Sequence, residues 1–448
     1  MVTFNTTLET AFQTILWWNQ KAELNSVIII RDVFGKVSFV MDNQNSIAEE
    51  NVEILRAELS LKLGNYFSGK IYWKKMAGSK KNEQERLKLI IRMLEEGKRE
   101  WRNEEGILFY VSERTIAKKA WINNVILQDA VWPYEETIEG RKPKVITFYS
   151  FKGGMGRTTA LSGVALSLIK RGHNVMMIDT DIEAPGLATL FLDEERVEKG
   201  VLDYLLEYPI EERDIAEYVI DITDSSLLDE KDANLYLMPA GKVDSNYLQK
   251  LARIDYQDHR ENYLRNSLEN MLNRIAERYD IEYILIDARA GFHDMGGIAV
   301  TQLPHGSVLI GNNTRQSWEG MTQVLRTIAE GRADGLPVML VDSMCEQRTS
   351  GSFLESKREF ENKAYSVCLD NFYLSDEPIP GIDAQDVVHA PEYIPFNEAL
   401  LHGVTLYSMG GTDQDMVVQA YKELLTGKVY KSITDRIESW FGGEEDDG

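Results

Sequence analysis

Lys144-Val145-Ile146-Thr147-Phe148-Tyr149-Ser150-Phe151-Lys152-Gly153-Gly154-Met155-Gly156-Arg157-Thr158-Thr159 runs from an apolar, β-rich stretch through a cluster of glycines to paired threonines. Residues 160–170 follow with helical character. Strand, glycine-rich turn and helix is the setting that a phosphate-binding loop requires. Gly153, Gly154 and Gly156 let a backbone wrap closely around an anion with its N–H groups turned inward. The helix N-terminus adds partial positive charge. Thr158 stands where a hydroxyl would ligate Mg²⁺, and Thr159 would reach an inner phosphate.

Further strands fit around this one. Asn174-Val175-Met176-Met177-Ile178-Asp179-Thr180-Asp181 reads as a buried strand ending in two carboxylates, with Pro185-Gly186-Leu187 beyond it. Tyr283-Ile284-Leu285-Ile286-Asp287 is an apolar strand closed by an acid, in the manner of a Walker B element, and Ala288-Arg289-Ala290-Gly291-Phe292 follows. Its Asp would hold Mg²⁺ through water, because that ion keeps most of its hydration shell. Short apolar runs recur at 235–238, 307–311 and 337–341, with a helix over 318–329 between the last two. Apolar strands alternating with helices predict an α/β fold with a doubly wound, mostly parallel sheet.

Against the general pattern G-x-x-x-x-G-K-[ST], Phe151 replaces the first Gly and Arg157 replaces the phosphate-binding Lys, while a Lys occurs early, at 152. This combination resembles the deviant Walker A motif, K-G-G-x-G-K-[ST]-[ST], of the ParA/MinD ATPases, and more closely a variant branch reading K-G-G-x-G-R. The resemblance covers about residues 143–430 and implies a P-loop NTPase that binds ATP and Mg²⁺ through Lys152, Gly153, Gly154, Met155, Gly156, Arg157, Thr158 and Thr159. By the same match, Thr158, Asp179 and Asp287 would serve the metal, and Asp181 would position the attacking water. Gly291 would mark a second switch. ATP-bound subunits of the family pair face to face, so Lys152 would act catalytically across an ATP-dependent homodimer. Arg157 keeps the positive charge but replaces a compact ammonium with a planar fork, which points to slow or partner-stimulated hydrolysis. Asn397, in Ile394-Pro395-Phe396-Asn397, is a candidate adenine contact.

The 448 residues suggest more than one domain. Residues 1–140 hold 19 basic and 20 acidic side chains, against 30 and 52 in the remainder. Trp17, Trp18, Trp73, Trp101, Trp121 and Trp132 also fall in the first part. The change of character places a small α+β domain at 1–138 and the ATPase domain at 143–441, with breakers at 132–134 and 140–143 between them. Residues 442–448 form an acidic tail. Within the first domain the periodicities predict helices over 8–24, 47–63 and 82–101, a hairpin of 27–30 with 37–40, and strands at 70–73 and 107–111. It carries no chemical motif and is expected to bind a protein partner. Lys70, Lys74, Lys75, Lys80 and Lys81, interleaved with Tyr72 and Trp73, fit either an anionic backbone or a solvated strand end; Trp-rich small domains more often use the rings as core.

Composition narrows the remaining choices. Cys345 and Cys368 are too few for a disulfide framework, the His are scattered, no apolar run would span a bilayer, and no secretory signal is seen. A cytoplasmic protein is expected. Three functions fit: an ATP-dependent switch with weak Mg-ATPase activity, a non-catalytic nucleotide-binding regulator or scaffold of a multiprotein system such as bacterial defence, and a DNA- or membrane-positioning ATPase. The acidic second region disfavours nucleic acid, and no basic amphipathic C-terminal helix is evident.

Overall fold

In a computed structural model of the protein, the residues described are 2–18, 23–75, 81–95, 98–114, 118–122, 142–254, 263–332, 335–373, 378–401 and 403–441. The breakers at 132–134 and 140–141, Lys80, and the acidic tail lie outside them. Two compact units divide the chain, Met1–Ile116 and Ala117–Gly448. That division falls earlier than the composition change, because Trp121 packs into the core of the second unit.

The first unit contains α1 (Thr7–Trp18), β1 (Leu24–Arg31), β2 (Val37–Asn43), α2 (Glu49–Leu63), β3 (Phe67–Trp73), α3 (Lys81–Glu95), β4 (Arg99–Glu104) and β5 (Ile107–Glu113). The strands form one mixed sheet in the order β3-β2-β1-β5-β4. Val27 and Ile29 face the core shared with α1 and α2, whereas Ile28 and Ile30 join Ile91 of α3 on the opposite side. The expected hairpin forms between β1 and β2. The expected helix over 82–101 does not run its length: it ends at Glu95, and Trp101 lies in β4, paired antiparallel with β5. β4 has no buried residue, so its residues carry no apolar alternation, while Glu105 and Gly106 at φ 50° and 80° make the tight turn. Trp18 and Trp73 are core residues, and Lys74 pairs with Asp42 and Glu95. Of the rings in that basic segment, Trp73 therefore fills a core, and Tyr72 packs half-buried against the cluster on the other side of the sheet.

The second unit opens with α4 (Lys119–Ile122), followed by β6 (Lys144–Tyr149), α5 (Arg157–Lys170), β7 (Val175–Asp179), α6 (Leu187–Phe191), α7 (Val201–Glu207), β8 (Ile220–Ile222), β9 (Leu235–Met238), α8 (Tyr247–Leu251), α9 (Tyr263–Arg278) and β10 (Tyr283–Asp287). It continues with α10 (Asp294–Thr301), β11 (Gly306–Gly311), α11 (Arg315–Gly331), β12 (Val338–Cys345), α12 (Phe353–Asn371), β13 (Glu392–Pro395), α13 (Thr412–Leu425) and α14 (Lys428–Ser439). The sheet order is β13-β12-β11-β6-β10-β7-β9-β8, with only β8 antiparallel to its neighbour. This is the doubly wound, mostly parallel sheet expected. Every residue of β7 and β10 is buried, as continuous apolar strands covered on both faces must be. Along β6 the side chains alternate: Val145 and Tyr149 enter the core of one face, Ile146 and Phe148 that of the other. The carboxyl ends of β6, β7 and β10 meet where strand order departs from chain order, the place where such sheets bind ligands.

Candidate functional site

The turn from β6 into α5 builds one wall of a cavity of about 540 Å³. Gly154 and Gly156 adopt φ 76° and 73°, a left-handed conformation that a side chain would strain. Gly156 also caps α5, so the loop delivers its backbone to the unsatisfied N–H groups of a 14-residue helix. Met155 is buried beneath, and its carbonyl accepts a hydrogen bond from the Ser343 hydroxyl of β12 at 2.8 Å. Gly153 to Thr159 all line the cavity, opposite Phe396, Asn397 and Leu400. Lys152 is partly exposed and is not among the lining residues.

The acidic side of the site follows from strand register. Asp287 and Asp179 are direct neighbours on β10 and β7, so two carboxylates are forced together with almost no exposure. Burial, and then the Asp287 charge, push the Asp179 carboxyl up to about 7, although three backbone N–H groups favour its ionised form. Those donors are Asp181, Gly186 and Leu187, at 3.0, 3.1 and 3.0 Å. Both Asp179 oxygens are thus engaged in shaping the loop after β7. Asp287 is likewise raised by burial, against the pull of Arg157 and Thr158. The Thr158 hydroxyl donates to Asp287 at 2.6 Å, which joins two of the residues expected at the metal.

Arg157 occupies a place that motif spacing does not disclose. Its guanidinium donates through Nε to Asp287 and through a terminal nitrogen to Asp181, the latter at 3.1 Å. Burial alone would weaken its charge, but the Asp287 and Asp181 carboxylates outweigh that and push its pKa up. The residue expected to face phosphate thus clamps two acids expected to serve Mg²⁺ and water. Residues overlooked in the sequence complete the network. Arg289 pairs with Glu183 at 2.7 Å and lies 3.9 Å from Asp181, and His293 meets Glu183 at 2.8 Å. Their nearness to Asp181 and Asp287 in sequence was the available signal.

The donor set fits ATP and Mg²⁺ in one respect that can be tested on the residues themselves. Among those described, no group of three or more His, Cys, Asp or Glu side chains could hold a metal ion. A cation here would need phosphate and water oxygens to complete its shell, which is the habit of Mg²⁺.

A protein-family model described as an AAA domain matches residues 143–335, which contain the loop, both acidic strand ends and the Arg289 network. Residues 143–335 are thus similar to the ParA/MinD-like P-loop ATPases. A septum site-determining protein MinD of Helicobacter pylori is 28% identical over 148 residues, 33% of this chain and 45% of that protein. An uncharacterized ATP-binding protein of Methanocaldococcus jannaschii is 30% identical over 149 residues, 33% of this chain and 46% of that protein. The chain spans less than half the length of these curated relatives. Among solved structures, pNOB8 ParA is 17% identical with a TM-score of 0.46, over 66% of this chain and 99% of that one. The ParA/MinD-like domain lies wholly within the second unit, and among the described residues no helix is long and apolar enough to cross a membrane.

Proposed function

We propose that the ParA/MinD-like domain binds ATP with Mg²⁺ and serves as a nucleotide-dependent switch with weak or partner-stimulated hydrolysis, using the deviant loop from Lys152 to Thr159. The observation that carries this reading is the pair of left-handed glycines at the head of α5, open to a cavity that Thr158 and Asp181 also line. Loop N–H groups would bind the phosphates, and Thr158 with Asp287 would hold the hydrated metal. Mg²⁺, when bound, supplies charge neutralisation at phosphate oxygens. Asp179 stands behind this pair and keeps the loop after β7 in place. The base would lie toward Phe396, Asn397 and Leu400; the Asn397 side-chain oxygen already caps Ala399 N at 3.0 Å, which leaves its amide N–H groups as donors.

Phosphoryl transfer to water is mainly positioning and charge stabilisation. Asp181, which lines the cavity, would orient water, and Lys152, outside the cavity wall, would reach a second subunit's nucleotide. Arg157 must give up part of its hold on Asp181 and Asp287 to serve phosphate, which supports slow turnover. The same clamp favours a second reading, a nucleotide-binding regulator without useful hydrolysis. Positioning of DNA is the weakest reading, because the excess of acidic over basic residues beyond 140 repels a phosphate backbone. We place the protein in the cytoplasm, with the first unit as the partner-binding part, since it has its own core and no phosphate-loop motif.

Calorimetric titration with a non-hydrolysable ATP analogue and Mg²⁺ tests the reading. Binding is expected, and silence at millimolar analogue would sink it. The same titration on residues 118–448 should return an unchanged affinity if the first unit serves only a partner.

A further inference from the structure

A segment outside the matched domain packs against the loop after β10. Trp121, 8% exposed, donates from its indole N–H to the carbonyl of His293 at 2.8 Å. Its ring lies 5.3 Å edge-on from Phe292 and 5.8 Å from Tyr149. Phe292 in turn lies 4.9 Å from Phe151 of the glycine-rich loop, and the Tyr149 hydroxyl donates to the carbonyl of Gly291 at 3.1 Å. Three residues before Trp121, Lys118 donates from its backbone N–H to Asp294 and pairs with the same carboxylate through Nζ at 3.1 Å. The loop over 289–294 is therefore held from one side by the residues preceding the domain. On its other side, Ala290 lines the cavity beside Asp181 and Arg157, and Arg289 approaches Asp181.

We infer that Trp121 is a positioning residue of the nucleotide site: it holds the 289–294 loop where it contacts the end of the cavity that takes the terminal phosphate. The assignment of that end rests on the proposed ATP site, whose polar wall is Arg157, Thr158 and Asp181 and whose apolar wall is Phe396 and Leu400. A loop at the polar wall senses the phosphate that distinguishes ATP from ADP. An indole is suited to the task because it combines a large apolar face with one N–H donor. An aliphatic side chain would leave the His293 carbonyl without that partner.

The test uses the full chain with Trp121→Ala, Trp121→Phe and Lys118→Ala. Without nucleotide, backbone hydrogen exchange over 289–295 should quicken about tenfold in Trp121→Ala, as loss of one hydrogen bond and an aromatic contact implies, while exchange within α5 stays unchanged. Trp121→Phe, which keeps a ring but loses the N–H bond to His293, should lose part of that protection, and Lys118→Ala should show a smaller effect in the same direction. In titrations, Trp121→Ala should weaken the ATP analogue about tenfold and leave ADP unaffected. Equal loss for ATP and ADP, or exchange unchanged over 289–295, would overturn the inference. If the wild type binds neither nucleotide, the ATP reading fails by itself, and exchange in the nucleotide-free chain still decides whether Trp121 holds the loop. If Trp121→Ala does not fold, the Phe and Lys118 variants carry the same comparison.

Discussion

Asp181 and Asp287 show how the same residue type acquires different work from its surroundings. Asp287 is fully enclosed and paired with Thr158 and Arg157, whereas Asp181 reaches the cavity and shares only part of Arg157. Asp181→Ala is expected to slow phosphate release by about 10²-fold or more, the usual scale for a group that handles the attacking water, while analogue affinity changes only a few-fold. Phosphate-release kinetics beside calorimetry would separate the two effects, and equal turnover in wild type and variant would remove Asp181 from the mechanism. Asp342 offers a test of burial. It is 3% exposed on β12, and burial pushes its carboxyl up to about 7. Between about pH 4 and 7 the folded chain keeps a proton that the unfolded chain has lost, so stability falls as pH rises through that window and the full cost stands above it. Asp342→Asn should therefore stabilise by about 2–4 kcal/mol at pH 8 and by close to nothing at pH 4. Urea unfolding at both values checks it; an equal gain at each pH would contradict the burial argument.

At the scale of elements, the glycine-rich loop depends on a helix remote from it in sequence. Gly320 of α11 leaves the gap that receives Phe151: a Cβ there would fall 2.0 Å from the ring. Gly320→Ala must push Phe151 aside, and with it the start of the loop. We expect a loss of about 1–3 kcal/mol, the range for overpacking a close contact, together with weaker analogue binding. Denaturant midpoints and the same titration measure both, and a variant as stable as wild type that binds normally would show that Phe151 has room to spare. Element identity was legible where the pattern was strong. The β1–β2 hairpin, the central strands and α11 all form at the expected places. β4 was misread because an exposed edge strand lacks the apolar alternation that distinguishes a strand from a charged helix. β13 and its Asn397 exit had only a short run to announce them.

At the scale of the whole molecule, ATP would have to bring together two strongly acidic chains. Lys152 is partly exposed and absent from the wall of its own cavity, a position suited to neutralising a partner's phosphates across an interface. Light scattering with Mg²⁺ and the analogue should shift wild type toward a dimer. Lys152→Ala should stay monomeric while still binding nucleotide; a variant that dimerises as readily would show that another group bridges the subunits.

The residues from Lys144 to Thr159, with the acids closing two apolar strands, were enough to establish a doubly wound P-loop domain and to nominate its nucleotide-site residues. That information is local: strand, turn and helix signals lie within a few residues of one another, and only glycine permits the required backbone. What Arg157 binds was not local. Its partners stand 24 and 130 residues away, and only the register of β7 beside β10 brings their carboxylates within reach of one guanidinium. Trp121 was equally silent in the sequence, where it counted as one more tryptophan of the first domain. Tertiary packing decided that it belongs against the loop after β10, because its N–H and its ring both find partners there.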